Sequence, residues 1–494
     1  MSLQQIFDKQ IVPVLSLSNF DSAWRQILDG SGLFGIWLEI KAFCHKKLAV
    51  LANFAWVFEI CAFFLVALLF FVLPAPQFAD DKGVLAIVVV VAFAARTVAL
   101  LVTNKFNFAP CSLDALVLAF VAMNIIATAA SEYLEPSLKG LSKMAVYFCS
   151  YFLFVGVLQI DTRRRSLIVL MALLSAAFAV SLYGLYQYKI HVAPLATWED
   201  PTIEDKTTRV FSTLKNPNLL AGYLIPLIPL SFGLTIMSFC NNGWKRWLGV
   251  PLLAVSAVIL ACAKFTDSRG GFMGMGAGLA AIGFVWISSI WSTKPKARPF
   301  LIAAVVVILL GLVFSVLHDP RLMHRIESIT STEHSSNAYR MHVYRSSLQM
   351  FKDSWWFGIG PGNSTFKLAY GLYMKSGFDA LGTYCVPLEV AVETGVAGLF
   401  VFAWMIVCAL SRAHQYFWAN PNSSDRWIAA GAAAGLLAMT VHGMVDTVFY
   451  RPQVQFLFWL LLALCVCWVS PKKAESKDTP ALLEESPKDQ NAAA

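Results

Sequence analysis

The chain has 494 residues, of which 58% are hydrophobic and 14% are charged. Soluble globular proteins contain about a quarter charged residues, so this composition excludes a soluble protein and indicates an integral membrane protein that partners the lipid bilayer. The net charge of +8 does not indicate a nucleic-acid partner, because the Lys and Arg residues lie in short clusters between apolar segments, as they do beside membrane helices.

The first 48 residues mix apolar side chains with charges. Their start, MSLQQIFDKQ, lacks the basic region followed by an apolar region that is typical of a cleavable signal. We therefore expect 1–48 to be a cytoplasmic amphipathic segment that lies on the membrane surface.

About twelve apolar segments follow, each long enough to cross the ~30 Å hydrocarbon core of a bilayer. The sequence predicts an all-α, polytopic helix bundle with about 12 transmembrane helices in one membrane domain, 49–470. The tail, 471–494, is rich in Lys, Glu, Pro and Ala and is expected to be disordered and cytoplasmic. The predicted spans are 50–74, 84–103, 113–131, 143–160, 166–188, 217–239, 246–264, 270–291, 299–317, 385–411, 427–449 and 453–470.

Basic residues are concentrated in alternate connections between these spans. By the positive-inside rule, this pattern predicts a multi-pass protein of the plasma (inner) membrane with both termini in the cytoplasm. It also places two long loops outside, 189–216 and 318–384. Within the second loop, 340–352 has helical periodicity and is expected to form a surface helix. The basic residues of the inner connections include Arg163, Arg164, Arg165, Lys245, Arg246, Lys294, Lys296, Arg298, Arg412 and Arg426.

The first outer loop ends in a candidate anion site. Asn216 and Pro217 have the residue types of a helix N-cap and a first helical turn, and Arg209, Lys215 and Asn218 lie beside them. A helix N-terminus with nearby cations suits an anion. The alternative is an ordinary capped helix whose cations reach the membrane interface.

Two further outer segments carry candidate binding residues. Arg269 follows Asp267 in the turn between spans seven and eight, where it either pairs with Asp267 or reaches the same anion as Arg209. Arg340 lies in the long loop, which ends in a Gly-Ile-Gly-Pro-Gly turn followed by Asn363. Gly-rich turns form anion-binding nests, although they also punctuate ordinary loops.

Ionisable residues inside the apolar spans are costly and therefore functional or paired. Glu389 and Glu393, and likewise His442 and Asp446, are four residues apart and share a helix face. For the second pair, an acid–base or proton-relay unit and a simple interhelical hydrogen bond remain open. Glu59 and Arg96 are predicted to pair across the first two spans. The residue spacings indicate no metal site, and we expect no metal and no cofactor.

Several motifs occur together in a fixed order: Arg209 before Asn-Pro-Asn, Ser-Arg269-Gly, Gly-Ile-Gly-Pro-Gly-Asn363, and Leu388-x4-Glu393-x-Gly-x2-Gly. Over about 200–450 this set resembles the O-antigen ligase/polymerase superfamily of membrane glycosyltransferases. The resemblance implies that arginines grip an undecaprenyl-diphosphate-linked sugar donor, which fits Arg209 and Arg269. It also implies a histidine where this sequence has Tyr384, so the catalytic residue is unknown. The histidines that remain as substitutes are His334, His342 and His442.

Within that superfamily, four motifs resemble a cyanobacterial bicarbonate-transporter branch: Leu195-Ala-Thr-Trp, Gly358–Asn363, Val386-Pro-Leu-Glu389-Val-Ala-Val-Glu393 and His442-Gly-x2-Asp446-Thr-Val-x-Tyr-Arg-Pro. This resemblance implies a role in inorganic-carbon accumulation, with bicarbonate or a related small anion as the partner. The alternative is a metal-independent glycosyltransferase that moves a polyprenyl-diphosphate-linked glycan at the outer face. Of the two functions, the role in inorganic-carbon accumulation is the main prediction, because that branch is the closer family match.

Overall fold

The computed structural model describes residues 7–77, 83–103, 109–193, 195, 208–303, 318, 335–446 and 448–468. All regular elements within these ranges are helical, so the predicted all-α class is confirmed. The longer helices are α1 (Asp21–Asp29), α2 (Gly32–Lys47), α3 (Ala55–Val72), α4 (Gly83–Val102), α5 (Ser112–Ala129), α6 (Leu134–Leu158), α7 (Thr162–Lys189), α8 (Pro217–Leu224), α9 (Leu227–Cys240), α10 (Gly249–Phe265), α11 (Arg269–Thr293), α12 (Ser335–Asp353), α13 (Asn363–Tyr370), α14 (Val386–Ala419), α15 (Arg426–Gly443) and α16 (Pro452–Val466).

Nine helical segments within the described ranges are long and apolar enough to cross a membrane, which confirms a polytopic helical membrane protein. They coincide with the first eight predicted spans and with the tenth. The eleventh and twelfth correspond to α15 and to the shorter apolar helix α16. Most of the predicted span 299–317 and the tail 471–494 lie outside the described residues. The total of about 12 spans therefore stays a prediction.

The core lies around α16, which is buried along its whole length except at Gln455. A helix that is apolar all round is stable only when other elements surround it. The span formed by α8 and α9 is likewise almost wholly buried. It is interrupted at Ile225–Pro226, because Pro226 has no N–H with which to continue the hydrogen-bond ladder.

Helix α14 is interrupted at Gly395, whose backbone has φ 72° and ψ −174°. The segment that follows α12 lies against this break and supplies the missing hydrogen bonds. Val396 N–H donates to the carbonyl oxygen of Trp355 (2.9 Å), and Ile359 N–H donates to that of Val392 (2.9 Å). An irregular backbone is tolerated in a membrane protein where other protein groups satisfy it in this way. The long outer loop is therefore fastened to the middle of a predicted span.

The N-terminal segment packs against the end of the bundle opposite this loop. The carbonyl oxygen of Ser16 accepts hydrogen bonds from Arg412 Nε (3.1 Å) and Cys408 Sγ (3.2 Å), and Asp21 pairs with Arg412 at 2.5 Å. The connection before α15 joins the start of α7 at the same end through an Asp425–Arg163 ion pair of 3.3 Å. The N-terminal segment, the end of α14, the start of α7 and the connection before α15 therefore meet at one end of the bundle, as the positive-inside pattern predicts. Which end faces the cytoplasm stays a prediction.

The predicted pair between Glu59 and Arg96 is present, and Arg165 joins it from the start of α7. Both Arg96 and Arg165 also donate to backbone carbonyl oxygens of α6, those of Gly156 (3.1 Å) and Val157 (3.0 Å). The buried carboxylate of Glu59 on α3 therefore holds arginines from α4 and α7, and these arginines in turn bind α6.

Replacing Glu59 with Gln should destabilise the protein by about 3 kcal/mol, because it leaves two arginines with an uncompensated charge, one of them buried. The measurement is the thermal unfolding of the detergent-purified chain. Glu135→Gln is the matched control, since Glu135 pairs with Lys139 on the exposed surface, where such pairs contribute little. Equal melting temperatures for the two variants would contradict the prediction.

Candidate functional site

Arg340 connects three elements at the end of the bundle that holds the long loop. From α12 it donates to the carbonyl oxygen of Val445 (2.8 Å) and to Asp446 Oδ2 (3.4 Å), both just beyond α15. Its guanidinium also lies over the ring of Tyr384, 5.7 Å from the centroid, immediately before α14. The structure therefore brings together three residues predicted from separate motifs.

Helix α11 begins at Arg269, which lies beside Arg340. The N-cap Ser268 accepts a hydrogen bond from Gly271 N–H (3.2 Å), which fixes the direction of the helix start. Arg269 lies within electrostatic range of Arg340. Gly270 packs so closely on His442 that a Cβ at position 270 would be 3.0 Å from its Cδ2 atom. The helix start therefore packs against His442 through Gly270 and brings Arg269 near Arg340.

Arg209 lies on the other side of the turn that precedes α11. It donates to the carbonyl oxygen of Thr266 (3.0 Å) and to Asn218 Oδ1 (2.9 Å). The predicted N-cap is present, because Asn216 Oδ1 accepts from the backbone of Asn218 (2.9 Å). The exposed Lys215 precedes it in a left-handed conformation, with φ 61°. Arg209 is therefore held at the N-terminus of α8, as expected for an anion site, and its binding role stays a prediction.

His442 and Asp446 lie at the junction of these elements. The side chain of His442 is 1% exposed, and its Nε2 atom has no hydrogen-bond partner among the described residues. The carboxylate of Asp446 forms an ion pair with Arg340 and makes no hydrogen bond to His442 Nε2. Asp446 therefore makes an interhelical contact, and His442 Nε2 makes none within the described part of the chain. Both alternatives for this pair, the acid–base unit and the structural hydrogen bond, stay predictions.

Glu389 and Glu393 line a cavity of about 100 Å³. Glu393 Oε1 accepts a hydrogen bond from Gly362 N–H (2.9 Å), so it ties the glycine-rich turn to α14. Glu389 is within electrostatic range of both Glu393 and Asp446, which puts it between the cavity and the arginines. Asn363 lines the same cavity and donates to the carbonyl oxygen of Leu381 (2.6 Å).

Other polar residues of this cavity were not found by sequence reasoning. They are Asn124, Lys143, Tyr147, Thr394 and Gln455, which come from α5, α6, α14 and α16. Each is a single polar side chain beside or within an apolar helix, a pattern that is common in membrane bundles. No spacing in the sequence singles them out.

Tyr384 occupies the place where the resemblance implies a catalytic histidine. Its backbone is left-handed, with φ 57°, and its ring lies edge-on to that of Tyr339, at 5.8 Å between centroids. Burial raises the pKa of the Tyr384 phenol above its usual value. Burial also raises the pKa of Tyr344, which donates to the Tyr384 carbonyl oxygen (3.0 Å), to about 12. Both phenols are therefore neutral at physiological pH, and neither can accept a proton there.

The three histidines considered as substitutes lie in different surroundings. His334 is outside the described residues. His342 contacts Phe378, with 4.3 Å between ring centroids and 43° between the ring planes. Of the two that the structure describes, His442 is the one within electrostatic range of Arg340 and Asp446.

Comparison with known proteins gives two findings. Residues 253–403 match the O-antigen ligase family, and this segment includes Arg269, Arg340 and Tyr384. The chain is also 22% identical, over 336 residues, to the teichuronic acid biosynthesis protein TuaE of Bacillus subtilis (strain 168). That similarity covers 65% of this chain and 64% of the relative, so the chain spans less than two thirds of the curated relative that it matches. Neither match is to a bicarbonate transporter, and the bicarbonate branch stays a prediction. Together the two findings support the O-antigen ligase-like superfamily for this chain.

Proposed function

We propose that the chain is a glycosyltransferase that moves a glycan from a polyprenyl diphosphate carrier to an acceptor at the outer face of the plasma membrane. The observation that carries the proposal is the convergence of Arg209, Arg269 and Arg340 at one end of the bundle. The match of residues 253–403 to the O-antigen ligase family and the similarity to a teichuronic acid biosynthesis protein support it.

The arginines suit the diphosphate of such a donor. Guanidinium groups bind phosphate oxygens through two parallel hydrogen bonds. As the bond between the sugar and the diphosphate breaks, negative charge grows on the leaving diphosphate, and fixed cations stabilise it without a metal ion. Arg209 stands at the N-terminus of α8, and Arg269 opens α11, so two helix dipoles add to the same field.

The acceptor hydroxyl must lose a proton as it attacks the anomeric carbon. We propose His442 as the base. Its Nε2 atom has no protein partner among the described residues, and Asp446 lies within electrostatic range of it. A nearby carboxylate stabilises the imidazolium that forms when the proton is taken. Tyr384 would instead support Arg340 through its ring face.

This assignment predicts different effects for two variants. His442→Gln should lower the rate of glycan transfer by about 10²-fold or more, the usual contribution of a general base. Tyr384→Phe should keep most of the rate, because it removes only a hydroxyl that stays protonated. The measurement is the release of free polyprenyl diphosphate from a labelled lipid-linked glycan in membranes that contain each variant. Full activity of His442→Gln, with loss in Tyr384→Phe, would refute the role of His442.

A further inference from the structure

Arg426 opens α15 at the end of the bundle opposite the candidate site. It lies sixteen positions before His442 on the same helix, a separation of about 24 Å at 1.5 Å per residue. The side chain is 7% exposed. Its guanidinium lies over the rings of Phe417 (4.5 Å) and Trp427 (5.5 Å). This second cationic position is therefore remote from the arginines described above.

The donors of Arg426 are only partly used. Nη2 donates to Ser289 Oγ (3.0 Å), and Nε is buried without a hydrogen-bond partner in the described part of the chain. No carboxylate among the described residues forms an ion pair with Arg426. The adjacent carboxylate, Asp425, is engaged by Arg163 at 3.3 Å. A buried guanidinium without a counter-charge is costly, and an anion beside it would offset that cost.

A polar pocket of about 360 Å³ adjoins this side chain. Arg426 and Trp427 form one wall. The other walls carry amide and hydroxyl groups from the connection after α9 and from the connection before α15, those of Asn241, Asn242, Asn422, Ser423 and Ser424.

The N-terminus of the 18-residue helix α15 opens at the same place, and its N-cap, Asp425, makes no side-chain capping bond. The N–H groups of its first turn are already used, because Trp427 N–H donates to the carbonyl oxygen of Ser424 (3.2 Å) and Ile428 N–H donates to that of Asp425 (3.0 Å). The donors that border the pocket are therefore side chains: the guanidinium of Arg426 and the amides of the asparagines. Guanidinium and amide N–H donors of this kind suit a tetrahedral oxyanion.

We propose that this pocket binds one phosphate group. Two exposed tryptophans indicate that the pocket lies at the level of the lipid headgroups. Trp244 and Trp247, on the turn after Asn242, are 70% and 63% exposed, and tryptophans are enriched at the membrane interface. The phosphate is supplied either by a phospholipid headgroup or by free inorganic phosphate. The site is separate from the proposed transfer reaction and does not depend on it.

The test uses the full-length chain in detergent after removal of lipid. Thermal unfolding is followed with inorganic phosphate, with chloride at equal ionic strength, with didecanoylphosphatidylglycerol, and with didecanoylglycerol, which lacks the phosphate. The informative variant is Asn422→Asp, because Asn422 is exposed and the change adds a negative charge at the pocket without touching Arg426. Asn53→Asp is the matched control, since Asn53 is exposed and does not line this pocket. Arg426→Lys tests the guanidinium itself.

We expect inorganic phosphate or phosphatidylglycerol to raise the melting temperature of the wild-type chain, and chloride and didecanoylglycerol to leave it unchanged. Asn422→Asp should weaken the apparent affinity about tenfold or more, and Asn53→Asp should not. A response to phosphatidylglycerol alone identifies a headgroup site, and a response to both identifies a general phosphate site. If neither ligand stabilises the wild-type chain, or if Asn422→Asp responds as the wild type does, the proposal is overturned.

Discussion

Replacing Gly395 with alanine is expected to destabilise the chain by about 3 kcal/mol or more and to abolish its activity. The backbone at this position, with φ 72° and ψ −174°, is in a region that is essentially open only to glycine. A Cβ there would also lie 2.1 Å from the carbonyl oxygen of Trp356. The segment that fills the break in α14 would be pushed away, and Glu393 would lose its hydrogen bond from Gly362.

Gly276→Ala is the matched control for this prediction. Gly276 lies inside α11, and a Cβ at that position meets nothing within 4 Å. Alanine is favoured over glycine in a helix by up to about 1 kcal/mol, so this variant should be unchanged or slightly more stable. Thermal unfolding of the two variants in detergent is the measurement. A Gly395→Ala variant as stable as Gly276→Ala would show that the break in α14 is not required.

Replacing Arg269 with alanine is expected to lower the transfer rate by about 10²–10³-fold, the effect of removing one donor that stabilises a developing negative charge. Arg269→Lys should recover only part of the loss, because an ammonium keeps the charge but not the two parallel hydrogen bonds. The protein should still fold, since the N-cap of α11 is Ser268 and does not depend on the arginine side chain.

The measurement for Arg269 is steady-state release of polyprenyl diphosphate from a labelled lipid-linked glycan. Arg246→Ala is its control, because Arg246 is exposed on the turn between α9 and α10. Equal rates for Arg269→Ala and Arg246→Ala would remove Arg269 from the donor site.

Much of the bundle could be predicted from apolar segments alone, because hydrocarbon thickness fixes the length of a span. The Glu59–Arg96 pair could be predicted as well, since each is an isolated charge in a neighbouring span. Its third member, Arg165, could not be. It is one of three consecutive arginines at the start of α7, and only the rotation of that helix determines which of them turns toward Glu59.

The break at Gly395 was not predicted for a similar reason. Gly395 and Gly398 lie in an apolar helix, where glycines usually allow close packing. The conformation of Gly395 depends on Trp355 and Trp356, about forty residues earlier, so no local pattern carries the information.

The gathering of Arg269 and Arg340 at one end of the bundle could be anticipated from the order of spans. The position of His442 beneath Gly270 could not, because it depends on how α11 crosses α15.

The most direct test of the central claim compares cells that lack this protein with cells that regain either the wild-type chain or Arg269→Ala. Two quantities are followed from the moment of depletion: the profile of lipid-linked and surface glycans, and the uptake of labelled bicarbonate. Glycan transfer predicts that the lipid-linked glycan accumulates first, that only the wild-type chain reverses this, and that bicarbonate uptake is initially unchanged. An immediate fall in bicarbonate uptake with an unchanged glycan profile would contradict glycan transfer and restore anion transport as the function.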